Sequence, residues 1–183
     1  MNQLNSFLPY RQEDVKRYVQ NRWWPGITLG DLFDRAADTL PEKEAFVDRH
    51  NRYTFAQARQ IVDKLAIGLI HLGIKPLDRV MIQLPNWAEF VFAYFACQKI
   101  GAITVLLIDR YRQFEINRLI ELTGATAWIV PTAYKKTNFI SIIDDVLKAN
   151  PSVKHPVTVR GDIKDRGISS LESLIVENRL TQA

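Results

Sequence analysis

The stretch 78–108 limits what this chain can fold into more than any other. Residues 80–84 form a short apolar run stopped by Pro85, which suits a buried strand whose ladder a proline would interrupt. Asn86 stands at the position of a helix N-cap, with Glu89 three residues on to complete a capping box. Phe90, Val91, Phe92, Ala93, Tyr94, Phe95, Ala96 and Cys97 follow with no polar face, so the predicted helix lies between layers rather than on a surface. Gly101 supplies the stop, and a second apolar run begins at once. Strand, capped helix, glycine stop and strand make one βαβ unit, which implies parallel strands and a right-handed crossover.

The same alternation continues on either side. Thr28 caps a helix to about Leu40, with Leu29, Leu32, Phe33, Ala36 and Leu40 on its apolar stripe and Pro41 closing it. Residues 44–48 and 52–54 flank Asn51 as a hairpin, with Ala45, Val47 and Tyr53 expected to point inward. Thr54 and Gln57 form a capping box for a helix with Ile61, Val62, Leu65, Leu69 and Leu72 inward, which Gly73 ends. Beyond 108, the spacing predicts a helix over 114–123, with Ile116, Leu119, Ile120 and Leu122 apolar, and a third parallel strand over 125–130. A helix over 138–149, a short strand over 157–159 and a last amphipathic helix over 169–177 complete the pattern. The repeated order predicts an α/β fold: a doubly wound, mostly parallel sheet flanked by helices. Residues 1–26 precede it as an arm, a helix over 13–22 followed by Trp23-Trp24-Pro25-Gly26, whose tryptophans should clamp the arm onto the body.

Composition removes several function classes. The formal net charge of +4 is spread without a block of like charges, and Lys135-Lys136 is too small to make a nucleic-acid face. Cys97, the only cysteine, precludes an intramolecular disulfide; its apolar helix makes it a packing residue in a reducing, cytoplasmic setting. The longest apolar window, 90–108, is broken by Gln98, Lys99 and Gly101, so no membrane span is expected, and the polar opening does not read as a signal peptide. Dinucleotide, Walker and nucleophile-elbow motifs are absent, and His50, His71 and His155 lie far apart. No catalytic residue and no metal ligand is assigned in this chain.

The central unit carries a resemblance. Asp78-Arg79-Val80, Ile82, Leu84-Pro85-Asn86 and Glu89-Phe90, followed by the apolar helix and Gly101-Ala102, are similar to the early part of adenylate-forming enzymes. That superfamily includes acyl-CoA synthetases, aryl-acid–AMP ligases, luciferase and peptide-synthetase adenylation domains. Leu40-Pro41, Val47-Asp48 and Tyr53-Thr54-Phe55 keep its order, and in the arm Pro9, Glu13, Tyr18, Trp24, Gly26 and Leu29-Gly30-Asp31 resemble the opening of aryl-acid–AMP ligases.

The resemblance implies that residues 27–183 are the first part of the large N-terminal domain of an AMP-binding ligase. The whole enzyme would condense a carboxylic acid with ATP, using Mg²⁺, and pass the acyl group to CoA or a carrier pantetheine. The family's phosphate loop, ribose-binding aspartate and C-terminal lysine have no counterpart here. The chain alone is therefore expected to be inactive and to bind no cofactor, its partners being the rest of the ligase and a small carboxylic acid. Arg118 matches an arginine that approaches the CoA phosphate in some relatives; a solvated surface arginine is the alternative. The rival reading is a free-standing α/β ligand-binding or interaction module without catalysis, its ligand near Leu84-Pro85 or Leu107-Ile108-Asp109. A fragment should also leave apolar strands, 105–107 and 127–130, uncovered, giving self-association or one large apolar patch.

Overall fold

Capping and glycine stops divide the chain into its elements, which the computed structural model describes for residues 10–161, 163 and 166–177. Pro9 of the arm lies outside the described residues. Helix α1 (Gln12–Gln20) forms the arm, and α2 (Leu29–Thr39) starts at a capping box in which Thr28 Oγ1 accepts from the Asp31 N–H and Asp31 accepts from the Thr28 N–H. Strands β1 (Glu44–Val47) and β2 (Arg52–Thr54) make an antiparallel hairpin. Helix α3 (Phe55–Leu72) has the expected Thr54–Gln57 box and ends at Gly73, whose φ of +106° is one that side chains resist. Then come β3 (Arg79–Ile82), α4 (Ala88–Lys99), β4 (Ile103–Leu106), α5 (Gln113–Thr123) and β5 (Ala127–Pro131). A small hairpin of β6 (Ala133–Tyr134) and β7 (Thr137–Asn138) precedes α6 (Ile140–Ala149), β8 (His155–Val159), β9 (Ser169–Ser170) and α7 (Leu171–Glu177).

The main sheet has the order β4-β3-β5-β8-β9, with every pairing parallel. Side chains alternate across it as strand geometry requires. Val80, Ile82, Ala127, Ile129, Val157 and Val159 pack with α3, α4 and α7 on one face. Met81, Trp128 and Val130 pack with α5 and α6 on the other. The sheet is therefore doubly wound, as its sequence pattern predicts. The chain leaves β3 for β4 through α4 on one face, then returns past β3 to β5 through α5 on the opposite face. The winding thus reverses between β3 and β5.

Several local expectations are corrected. The tight turn at Pro85, where the Trp87 N–H donates to the Pro85 carbonyl at 2.7 Å, makes Trp87 rather than Asn86 the N-cap of α4, and no side chain caps it. Phe92 is buried in α4, but Phe95 is only partly so, stacked on Phe33 at 4.4 Å. That stack rotates α2 so that Gly30, Phe33 and Ala37 face the core, while Leu29, Leu32 and Leu40 are exposed. A bulge between Glu44 and Phe46 shifts the hairpin's alternation: Phe46 and Tyr53 pack inward and Val47 faces out. Ile116 and Ile120 set the buried face of α5, which leaves Leu122 exposed. Residues 169–170 pair as a strand instead of opening the last helix. Trp23 and Trp24 pack on Tyr10 and Tyr18, within the arm, and both remain exposed, so the arm's aromatic contacts are internal to it. No helix among the described residues is long and apolar enough to cross a membrane.

Candidate functional site

Where parallel strands reverse their winding, the loops leaving two neighbouring strands diverge to opposite faces and open a crevice at the strands' carboxyl ends. Here that crevice lies between the segment after β3, Leu84-Pro85-Asn86-Trp87, and the β6–β7 hairpin after β5. A cavity of about 510 Å³ occupies it, with Pro85, Asn86 and Trp87 on one side and Tyr134 and Lys135 on the other. Asp48, Arg49 and His50 of the β1–β2 turn, and Arg160 just after β8, complete the wall. Smaller cavities flank the same segment, one beneath Phe46 and Val47 and one against Leu107, Ile108 and Asp109. Both carboxyl-end positions named by the sequence, Leu84-Pro85 and Leu107 through Asp109, thus line this edge.

Arg160 organises the crevice. Its guanidinium donates to both carboxylate oxygens of Glu89, at 2.7 and 3.0 Å, and lies 3.8 Å from the centroid of the Trp87 ring. Glu89 holds its pKa above the ordinary value against the opposing effect of burial. The backbone is also constrained: the Arg160 N–H donates to Glu172, and Thr132 Oγ1 donates to the Arg160 carbonyl. Arg160 adopts a φ of +56°, costly for a non-glycine residue, and these contacts offset that strain. Next to it, Gly161 has no alternative, because an added Cβ would lie 2.3 Å from Thr132 Oγ1. Glu89, read from the sequence as half of a capping box, is instead this ion pair's acid; in the first turn of α4 it still suits the helix dipole.

Asp48 closes the cluster from the hairpin. Its Oδ1 accepts from the His50 and Asn51 N–H groups, which hold its carboxyl below the usual range; Ala88 and Arg160 act more weakly in the same direction. Oδ2 is buried, receives no hydrogen bond of ordinary geometry, and stands 3.7 Å from Arg160. Tyr53, beneath it, has its phenol pKa raised by burial and then by the Asp48 and Glu89 charges. On the far side, Gln83 is fully buried and donates to the Ile108 and Tyr111 carbonyls. Arg112 fixes the same loop through the Asp109 and Tyr111 carbonyls and Thr137 Oγ1.

Arg118 lies elsewhere. It is exposed, pairs with Glu121 at 2.7 Å, and lines a separate shallow cavity with Phe114, Asn117 and Asn150. Among the described residues, no three His, Cys, Asp or Glu side chains are grouped to hold a metal ion. The residues that sequence reasoning missed, Asp48, Trp87 and Arg160, are too far apart in the chain for any motif. The one legible signal was Arg160-Gly161 ending a strand, a turn dipeptide.

Comparison with known proteins agrees with this architecture. The chain is 30% identical to the 2-hydroxy-7-methoxy-5-methyl-1-naphthoate–CoA ligase of Streptomyces carzinostaticus, across 86% of this chain and 28% of that protein. It is 32% identical to the 2,3-dihydroxybenzoate-AMP ligase of Bacillus subtilis, across 88% of this chain and 30% of the relative. The apo structure of MbtA from Mycobacterium smegmatis superimposes with a TM-score of 0.84 at 28% identity, covering 98% of this chain and 32% of that one. The chain thus spans less than a third of the length of the curated relatives it matches. The family model for AMP-binding enzymes matches residues 33–176, and the chain belongs to that family.

Proposed function

We propose that this chain is the N-terminal portion of an ATP-dependent ligase that activates a carboxylic acid as its acyl- or aryl-adenylate and passes the acyl group to CoA or a carrier thiol. What supports this reading most is the match of residues 33–176 to AMP-binding enzymes in a chain that covers under a third of its relatives. The portion contributes a sheet layer and one wall of the site. In this reading the metal-dependent step is carried by the remainder of the enzyme. Arg118 serves as a contact for the CoA phosphate in the assembled ligase. The setting is the cytoplasm, in keeping with one buried thiol and no disulfide.

The test is carboxylate-dependent ATP–pyrophosphate exchange, with aryl and fatty acids, by the 183-residue chain. Background exchange is expected. Exchange that disappears on mutating a residue of this chain would overturn the reading. The cavity at the winding reversal favours a second reading, in which the chain binds a ligand by itself. Titration of the isolated chain separates the two.

A further inference from the structure

The β6–β7 hairpin walls the crevice and is weakly built. Each of its strands is two residues long, and Lys135 in its turn sits at a φ of +53°, costly for a residue with a side chain. Its base is firm. Thr132 and Phe139 are buried, the Phe139 N–H donates to the Thr132 carbonyl at 2.9 Å, and the Thr132 N–H donates to the Val159 carbonyl at 3.2 Å. Beyond that base, Tyr134 lies edge-on to Trp87 with ring centroids 5.5 Å apart. Across from the crevice, Thr137 Oγ1 accepts from Arg112 Nη2 at 2.9 Å.

Arg112 itself is held by its own loop. Its Nη1 donates to the Asp109 and Tyr111 carbonyls, both at 2.8 Å, and its guanidinium carbon lies 5.2 Å from the centroid of the Phe139 ring. Gln83, fully buried after β3, ties the same loop to the sheet by donating to the Tyr111 carbonyl at 2.9 Å and the Ile108 carbonyl at 3.3 Å. The loop is therefore a fixed post, and one hydrogen bond fastens the hairpin to it. Tyr134 lines two cavities at once, one of about 510 Å³ beside Trp87 and one of about 380 Å³ against Leu107, Ile108 and Asp109.

We propose that the β6–β7 hairpin is a hinged flap, turning about Thr132 and Phe139 and latched by the Arg112–Thr137 hydrogen bond, whose opening withdraws Tyr134 from between the two cavities and makes them one crevice. A single part-buried bond to a charged donor holds so short a strand pair, yet can break without unfolding the sheet. The inference does not depend on the ligase reading.

Amide hydrogen exchange of the full chain, resolved by NMR, tests it in wild type, T137V, R112Q and the double variant. In wild type, 133–138 should exchange faster than β5 and β8, with the Phe139 amide still protected. T137V removes the acceptor and keeps the side chain's shape. It should speed exchange over 133–138 by roughly tenfold or more, the scale for losing a hydrogen bond to a charged group, and leave β5 and 108–111 unchanged. R112Q should speed the hairpin to the same degree, and the double variant no further, because both changes open one latch. Wild-type hairpin rates in T137V, or β5 speeded as much as the hairpin, overturn the flap. Additive effects in the double variant overturn the latch, and T137V decides alone if R112Q lowers the melting temperature.

Discussion

The two flanks of β3 are built from similar residues and end in opposite states. On one side β5, Ala-Trp-Ile-Val-Pro, is buried at every position, and β8 beyond it carries the Arg160 cluster. On the other side β4 is the edge of the sheet; Leu106 is 54% exposed, Ile108 55% and the neighbouring Phe114 82%. Of the two strands expected to be uncovered, 105–107 lies at the edge and 127–130 lies in the interior. The difference teaches that an apolar run predicts the need for cover, and that the provider of cover is a separate question. The chain supplies it for β5 through β8, α5 and α6, and leaves the β4 flank exposed.

The sharpest way to break this comparison is to truncate one aromatic on each flank. Phe92 is 3% exposed among the helices covering the sheet, so F92A should cost about 3–5 kcal/mol in urea unfolding. F114A should stay within about 0.5 kcal/mol of wild type. If F114A costs more than about 1.5 kcal/mol, the β4 flank is covered in solution, by a second copy or by residues outside those described. Sedimentation at several concentrations separates a second copy from the rest. Cys97 offers a kinetic version: burial pushes its thiol up to about 12, so the native chain at pH 8 should resist a thiol reagent that labels the unfolded chain readily. Ready labelling without denaturant would mean that α4 is not enclosed.

The cluster around Arg160 should give an intermediate effect. Removing Glu89 leaves a partly buried guanidinium with only the weaker charges of Asp48, 3.7 Å away, and Glu172, so E89Q should cost about 1–2 kcal/mol, less than the core truncation. Asp48 gives the pH dependence. Its folded pKa is below its unfolded one, so its contribution is present above the ordinary carboxylate pKa and disappears as pH falls through the folded value. D48N should flatten that part of the acid limb, measured as melting temperature between pH 6 and pH 2, endpoints chosen to bracket carboxylate titration. An acid limb identical in wild type and D48N would place the depressed titration elsewhere.

These contrasts also mark what the sequence reveals. Strand and helix periods are local, so the βαβ unit, both threonine capping boxes and the Gly73 and Gly101 stops were legible from spacing alone. The rotation of α2 was not, because the Phe33–Phe95 stack that decides it joins two helices remote in sequence. Tyr53 packs inward as expected, but Val47 was misassigned because one bulge inverts an alternation that otherwise holds. The crevice was legible only as a place, the carboxyl ends of β3 and β4. Its chemistry depends on Asp48, Glu89 and Arg160 meeting, and Glu89 had a satisfactory local reading as a cap that concealed its long-range one.

The smallest expected effect tests the flank that the chain leaves open. Arg118 and Glu121 are both well exposed and three residues apart on α5, an arrangement that contributes a few tenths of a kcal/mol and is screened by salt. R118A should therefore leave stability within about 0.5 kcal/mol, since the arginine supports nothing beneath it. A weakly engaged cation is also what a phosphate contact requires, because only the exposed Glu121 pair must be given up before the ligand binds. In the assembled ligase, R118A should raise the KM for CoA and leave acid-dependent pyrophosphate exchange unchanged, separating a role in thiol delivery from one in adenylation. If KM for CoA does not move, Arg118 is a solvated residue, and the uncovered flank of α5 is an assembly surface only.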